Sequence, residues 1–129
     1  KNELLEPIKP LLNAGMIFEA IVLMLNNISA NSVFYKKALK LEGAVTFNHI
    51  AMKCVYEMFM NIISEKSTGK KSKYRWLTPE VISTYYAQSL CFITEGWIAQ
   101  GMDDIEPKEM AEAYMYLITR SMDDILSEL

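Results

Sequence analysis

Two helix starts marked by proline constrain the fold of this chain more than any other feature of its sequence. In Thr78-Pro79-Glu80, a hydroxyl can cap a helix, proline presets φ at the first position, and glutamate meets the positive helix end. Glu106-Pro107 repeats the pattern, and Gly101 lies just before it. Only the short corner 102–105 separates the two helices, so we expect them to pack antiparallel. The second helix should continue unbroken to Leu129.

Each of these two helices carries apolar residues on more than one face, and therefore needs more than one neighbour. One face can pack on the rest of the chain. The other is a candidate for pairing with a second copy, which would give a four-helix dimer interface. The candidates for that interface are Tyr86, Ser89, Ile93, Gly96, Trp97, Tyr114, Ile118, Ser121, Met122 and Ile125.

The rest of the chain is also helical in pattern. Apolar spacing predicts a helix over 11–28, a short helix over 33–41 that Gly43 ends, and a strongly apolar helix from 44 to about 66. Residues 1–10 contain two prolines and suggest a leading strap outside the core. Residues 67–76 read as a polar loop that Tyr74 and Trp76 anchor to the next helix. We therefore predict one all-α domain over 1–129, a bundle of five to six helices with two long antiparallel helices at its C-terminal end.

Composition narrows the function classes. The chain has 129 residues, is 51% hydrophobic and carries a net charge of −3, which fits one compact core and argues against direct nucleic-acid binding by these residues. No apolar run has the length of a membrane span, so no membrane partner is expected. Cys54 and Cys91 lie in apolar helical contexts and read as buried, reduced thiols, which suggests the cytoplasm.

No constellation of residues points to catalysis. His49 is the only histidine, and pairing it with Glu42, Glu57 or Cys54 makes a poor zinc site, so we expect no metal and no cofactor. The pairs Asp103-Asp104 and Asp123-Asp124 fit a helix corner and an exposed helix face better than acid–base chemistry. Four cations at 70–75 are more typical of a solvated loop than of a phosphate site. The sequence therefore favours a protein that is not an enzyme.

Large, soft and amphipathic side chains dominate the apolar content, with nine Met and seven Tyr among them. Such a core leaves irregular gaps, and a small-molecule pocket between helices is one interpretation; an ordinary core of the same composition is the other. If a pocket exists, its lining should come mainly from the central helices, with His49 and tyrosine hydroxyls as the polar contacts. Because no inward-facing Arg or Lys is expected, the ligand should be uncharged or aromatic. The lining candidates are Phe18, Val22, Phe47, His49, Met52, Tyr56, Phe59, Tyr85 and Phe92.

Three stretches near the C-terminus carry a family resemblance: Tyr-Tyr-Ala-Gln-Ser-Leu at 85–90, Glu-Gly-Trp-Ile-Ala-Gln-Gly-Met at 95–102, and Glu-Pro-Lys-Glu-Met-Ala at 106–111. Together with Val-Phe-Tyr-Lys-Lys-Ala-Leu at 33–39, they resemble the C-terminal regulatory domain of TetR-family transcriptional regulators. The resemblance runs from about Gly15 onward. It implies an all-helical domain that forms a homodimer through its last two long helices and often holds a small ligand.

The helix-turn-helix pattern that precedes this domain in the family is not in the sequence. The resemblance therefore implies that operator DNA is bound only through an N-terminal domain absent from this chain, which would be a piece of a longer regulator. The function it implies is ligand sensing and dimerisation in a DNA-binding transcriptional regulator. The alternative is a stand-alone helical protein-interaction module whose apolar face binds a partner helix.

Overall fold

The structure is a computed structural model that describes residues 6–129, apart from the side chains of residues 42–47. A short 3-10 turn, Glu6–Ile8, precedes six α-helices. These are α1 (Lys9–Asn13), α2 (Ile17–Ala30), α3 (Ser32–Lys66), α4 (Pro79–Ala99), α5 (Pro107–Thr119) and α6 (Met122–Leu126). The described part of the chain contains no strand, so the prediction of an all-α fold is confirmed.

Both proline-marked helix starts are where the sequence predicted them. Thr78 has extended backbone angles, and its Oγ1 accepts a hydrogen bond from the Val81 N–H at 3.2 Å, while Pro79 opens α4. Pro107 opens α5 after Glu106, whose side chain makes no capping bond. At the corner between the two helices, Gly101 has φ of +101° and Met102 has φ of +64°. Two consecutive residues with positive φ turn the chain back within the seven residues 100–106, and glycine adopts such φ values at little cost.

Gly43 does not end a helix, contrary to the prediction of separate helices over 33–41 and from 44 onward. Residues 32–66 form one helix of 35 residues, α3. Glycine in a helix interior costs only about 1 kcal/mol relative to alanine, and good helix formers such as Lys36, Ala38 and Leu39 precede it. The chain bends instead at Asn31, where α2 and the first part of α3 meet at 81°.

The N-terminal prediction also needs correction. The helix expected over 11–28 is interrupted at Gly15, which has φ of +77° and separates α1 from α2. The segment predicted as a strap contributes to the core, because the Ile8 side chain is completely buried beside Leu12. Its Pro10 lies in the first turn of α1, where a missing N–H costs nothing. Residues 1–5 of that segment lie outside the described residues.

The helix that begins at Pro107, α5, is shorter than predicted. It ends at Thr119, and Arg120 and Ser121 are extended. Ser121 then caps the short helix α6, because its Oγ accepts a hydrogen bond from the Asp124 N–H at 3.1 Å. A side chain that competes for backbone N–H groups in this way favours a new helix start over continuation of the old one.

Two close helix pairs build the core. The α3 helix runs antiparallel to α4, and α2 lies against α5. On α4 the residues that face the core include Ser83, Ala87 and Cys91, whose spacing of four places small side chains along one ridge. Ser83 and Ala87 are completely buried. Small residues at this spacing let α3 approach closely.

The small-residue ridge generates a prediction for stability. Ala87→Leu should lower the free energy of unfolding by about 1–3 kcal/mol, because the closely packed α3–α4 contact has no room for a larger side chain. Ser83→Ala should instead raise it by about 1 kcal/mol, because the buried Ser83 hydroxyl has no hydrogen-bond partner among the described residues. Urea unfolding of both variants tests this. A tolerated Ala87→Leu would contradict the close approach.

Candidate functional site

Two hydrogen-bonded aromatic side chains hold α4 and α5 together as an antiparallel hairpin. The Trp97 Nε1–H donates to the Ile105 carbonyl at 2.9 Å, next to the corner. Two turns of helix further on, the Tyr114 hydroxyl donates to the Tyr86 carbonyl at 2.9 Å and lies 3.0 Å from the Ser89 hydroxyl. Trp97 and Tyr114 are both buried within the chain. The predicted antiparallel pairing of the two helices is therefore present in a single protomer.

The hairpin leaves an apolar stripe of α4 in contact with solvent. Tyr85 is 67% exposed and Phe92 is 78% exposed, and they lie two helical turns apart on the side of α4 opposite Ala87 and Leu90. Exposed Gly96 continues the stripe one turn further. On α5, exposed Leu117 follows Tyr114 by one turn, on the flank away from buried Ala111. We call Tyr85, Phe92, Gly96, Ala113 and Leu117 the outer face.

The predicted dimer residues fall into three groups. Trp97 and Tyr114 are covered by their own chain, as described above. Tyr86, Ser89, Ile93, Ile118 and Ile125 are half-buried. Gly96, Ser121 and Met122 are exposed, and Ser121 caps α6. The part of these residues in a dimer stays a prediction.

The predicted pocket residues are not all on one side of the molecule. Phe18, Val22, Met52 and Tyr56 are half-buried and pack against the core. Phe59 is buried and stacks on Tyr86, with ring centroids 5.6 Å apart. His49 is exposed, and the side chain of Phe47 lies outside the described residues. Tyr85 and Phe92 belong to the outer face, on the opposite side of α4 from the core.

An open groove, which the sequence analysis did not predict, lies at the start of α4. The groove has a volume of about 720 Å³ and is mainly apolar. Trp76 is 75% exposed in this groove, so it does not anchor the preceding loop by burial. This differs from the prediction that Trp76 anchors the loop to the next helix. The one sequence signal was the density of large apolar residues on both sides of the Thr78 cap. The lining consists of Trp76, Leu77, Glu80, Val81, Ile82, Thr84, Tyr85, Tyr86 and Gln88.

Polar contacts also join α3 to α4. The Asn48 amide donates to Glu95 Oε2 at 2.6 Å. Cys54 and Cys91 are buried and are not joined by a disulfide, as the sequence predicted. Burial, followed by the nearby Glu95 and Cys54, raises the pKa of the Cys91 thiol to about 12. A thiol that stays protonated at neutral pH is a poor nucleophile, so Cys91 is suited to packing and not to chemistry.

The described residues contain no cluster of metal-ligating side chains. No group of three or more His, Cys, Asp or Glu side chains among them could hold a metal ion. Within the same residues, no single helix is long and apolar enough to cross a membrane. One bent pair, Ile17–Ala30 with Ser32–Leu41, meets the length and composition criteria together.

The buried hydroxyl of Tyr114 generates a prediction for alkaline pH. Burial raises its pKa from 10 to about 12, and that of Cys91 from 9 to about 12, so both groups favour the folded state only while they are protonated. Their contribution is complete below pH 9 and is lost as the pH rises toward 12. Urea unfolding at a series of pH values should therefore show stability falling across this window. Tyr114→Phe should fall less steeply above pH 10, where only the wild-type tyrosine ionises.

The same substitution should also lower the free energy of unfolding at neutral pH. The lost hydrogen bond leaves the Tyr86 carbonyl with one partner fewer, at a cost of about 1 kcal/mol. Tyr74→Phe is a suitable control, because Tyr74 is 62% exposed in the loop before α4. Equal pH profiles for the wild type and Tyr114→Phe would contradict the assignment.

Comparison with known families agrees with this architecture. A family model described as the transcriptional regulator C-terminal region, of the TetR type, matches residues 16–120. The match begins just before α2 and ends just after α5, so it includes the whole four-helix core. No match was found among curated proteins or among solved structures. The chain belongs to the family of TetR-type transcriptional regulator C-terminal regions.

Proposed function

We propose that this chain is the dimerising and ligand-sensing region of a DNA-binding transcriptional regulator, and that two copies pair through the outer face. The observation that carries the proposal is the exposed apolar stripe of α4, on which Tyr85 and Phe92 lie largely in solvent. Large aromatic side chains contribute most to interface energetics, and aligned exposed ones mark interaction sites. The outer face therefore has the chemistry of an unoccupied helix-packing surface.

The geometry of the outer face supports close packing of helices. Gly96 has open space where a Cβ would lie, so a helix of the partner can approach the α4 backbone there. Phe92, one turn earlier, is the natural anchor of such a contact. Ala113 and Leu117 extend the surface onto α5, so each protomer offers two helices and the dimer has four. A two-fold axis through this face would make the surface complementary to itself.

The half-buried and buried members of the predicted interface have a supporting role in this proposal. The bonds of Tyr114 and Trp97 fix α5 against α4, so the outer face is a preformed surface and little ordering is needed on association. Ser89 lies beside this contact, where its hydroxyl donates to the Tyr86 carbonyl at 2.8 Å. These residues shape the interface from beneath.

For ligand sensing, we infer a site at the half-buried edge formed by α2 and α3. Phe18 and Val22 occupy one flank of α2, and Met52 and Tyr56 occupy one flank of α3. Each packs against the core on one side and stays partly open on the other, which is the environment of a pocket rim. An apolar or aromatic molecule of no net charge would fit these side chains. Tyr56 can supply a hydrogen bond.

In the complete regulator, operator DNA would be bound by a helix-turn-helix domain outside this chain. A ligand that prefers one arrangement of α2 and α3 would shift the population of arrangements and so the spacing of the two DNA-binding domains. A coupling of about 1–3 kcal/mol is enough for regulation. The proposal assigns the chain no catalytic activity and no direct contact with nucleic acid. We also propose a cytoplasmic location, which such a function requires.

Phe92→Glu tests the dimer. A buried, unpaired carboxylate at the centre of the interface should weaken self-association about a hundredfold, as measured by sedimentation equilibrium over a dilution series. Phe34→Glu is the matched control, because Phe34 is a similarly exposed phenylalanine on a different helix, in the first turn of α3.

Two results would count against the dimer proposal. If Phe92→Glu associates as tightly as the control, the outer face is not the interface. If the wild-type chain is itself a monomer at every concentration, the alternative of a helical module that binds a different partner is favoured.

Val22→Trp tests the ligand site. The probe is N-phenyl-1-naphthylamine, an uncharged aromatic molecule whose fluorescence rises on transfer from water to an apolar site. Filling the rim with an indole should weaken its binding about tenfold without changing the oligomeric state. Leu23→Trp is the control, because exposed Leu23 is the next residue of α2 and points to a different side. Equal weakening by both substitutions would contradict a site at Val22.

A further inference from the structure

We propose that residues 122–129, which begin with α6 and which we call the arm, dock into the open groove at the start of α4 of the partner protomer. This inference rests on the proposed function, because it requires the dimer. It starts from a second apolar surface, distinct from the outer face. Met122 and Leu126 are 73% and 57% exposed, and Leu129 is 94% exposed. Their spacing of four and three residues places all three on one side of the arm, which we call the arm stripe.

The arm cannot use this stripe against its own chain in the conformation described. The Tyr116 hydroxyl donates to Glu128, and the Arg120 guanidinium lies over the Tyr116 ring at 5.1 Å. Ile125 of α6 is half-buried. These contacts hold the other side of the arm on α5 and leave the arm stripe facing solvent. An apolar stripe on an oriented helix is a ready docking element.

The groove offers a matching surface. Its wall includes the exposed Trp76 ring and the side chains of Leu77 and Val81, and its volume of about 720 Å³ is enough to hold several apolar side chains. Tyr85 belongs both to the groove and to the outer face. The groove is therefore continuous with the proposed interface, and a second copy bound there brings its own helices to the edge of the groove.

Charge complementarity favours this occupant over an unrelated partner. The loop before the groove carries Lys70, Lys71, Lys73 and Arg75, all of them exposed. The arm carries three carboxylates, Asp123, Asp124 and Glu128, which are also exposed. Against these four cations, Glu80 is the single carboxylate of the groove lining. An acidic arm with an apolar stripe thus meets an apolar groove with a basic margin, and opposite charges at a rim select the correct partner.

The test is a pair of complementary charge reversals in the 129-residue chain. The loop variant carries Lys70→Glu, Lys71→Glu and Lys73→Glu, so that its loop repels the acidic arm. The arm variant carries Asp123→Lys and Asp124→Lys, so that its arm repels the basic loop. Each variant alone should self-associate about tenfold more weakly than wild type, whereas an equimolar mixture should form a heterodimer of near wild-type affinity.

The mixture is the decisive measurement, because in the heterodimer both loop–arm contacts pair opposite charges. Labelling each variant with one of two fluorophores allows its formation to be followed by energy transfer. If the arm docked on its own chain, or if the arm substitutions simply unfolded α6, mixing would restore nothing, and the inference would be overturned. Asp103→Lys with Asp104→Lys is the matched control, because it reverses two exposed charges at the hairpin corner and should leave association unchanged.

The apolar half of the contact has its own test. Leu126→Glu should weaken association about tenfold by placing a carboxylate in the arm stripe. Failure of this inference can be told apart from failure of the proposed function. If wild type is a dimer that Phe92→Glu disrupts, but the loop, arm and Leu126 variants all associate normally, the proposed docking of the arm is wrong and the proposed function stands. A monomeric wild type would overturn both.

Discussion

The hydrogen bonds of Trp97 and Tyr114 are the constraint on which the functional surfaces of this molecule depend. Both aromatic side chains are buried, and each bonds to a backbone carbonyl of the facing segment. A buried carbonyl without a partner is costly, so the indole and phenol groups satisfy the backbone while their rings fill the space between helices. One contact lies in the corner just before α5 and the other near the middle of α5, so together they fix the distance and the rotation of the first half of α5 relative to α4. The outer face exists as a single surface for that reason.

The parts of the fold that follow from local chemistry were predictable from sequence. Proline at a first helical turn, with threonine before it, predicts the start of α4 without any knowledge of the neighbours, and glycine near a corner predicts a left-handed residue. The prediction of a helix end at Gly43 was wrong. Glycine lowers helix stability by only about 1 kcal/mol, which is small beside the stability that tertiary packing gives a 35-residue helix. Gly15, with the same residue type, does break the helix. The residue type alone does not distinguish the two positions.

Assignment of helix faces was harder than assignment of helices. On α4, Tyr85 and Tyr86 are adjacent in sequence, yet the first is largely exposed and the second is half-buried against the Phe59 ring. When a helix is apolar on several sides, its periodicity cannot say which side the rest of the chain will cover. That choice is made by α3 and α5, whose contacts with α4 come from residues distant in sequence. The groove at Trp76 depends on the same tertiary arrangement, and only the clustering of apolar residues around Thr78 hinted at it.

The position of α3 explains how an event at the proposed ligand rim could reach the proposed dimer surface. Its residues Met52 and Tyr56 lie at the rim, while Asn48 and Phe59 of the same helix contact Glu95 and Tyr86 of α4. A rigid helix that is displaced at the rim must carry both contacts with it. The carbonyl of Tyr86 also accepts the hydrogen bond from the Tyr114 hydroxyl. A shift of α3 therefore also acts on the residue that joins α4 to α5. The proposed coupling therefore needs no long pathway, because one helix carries rim residues and also contacts the α4 residues next to the outer face.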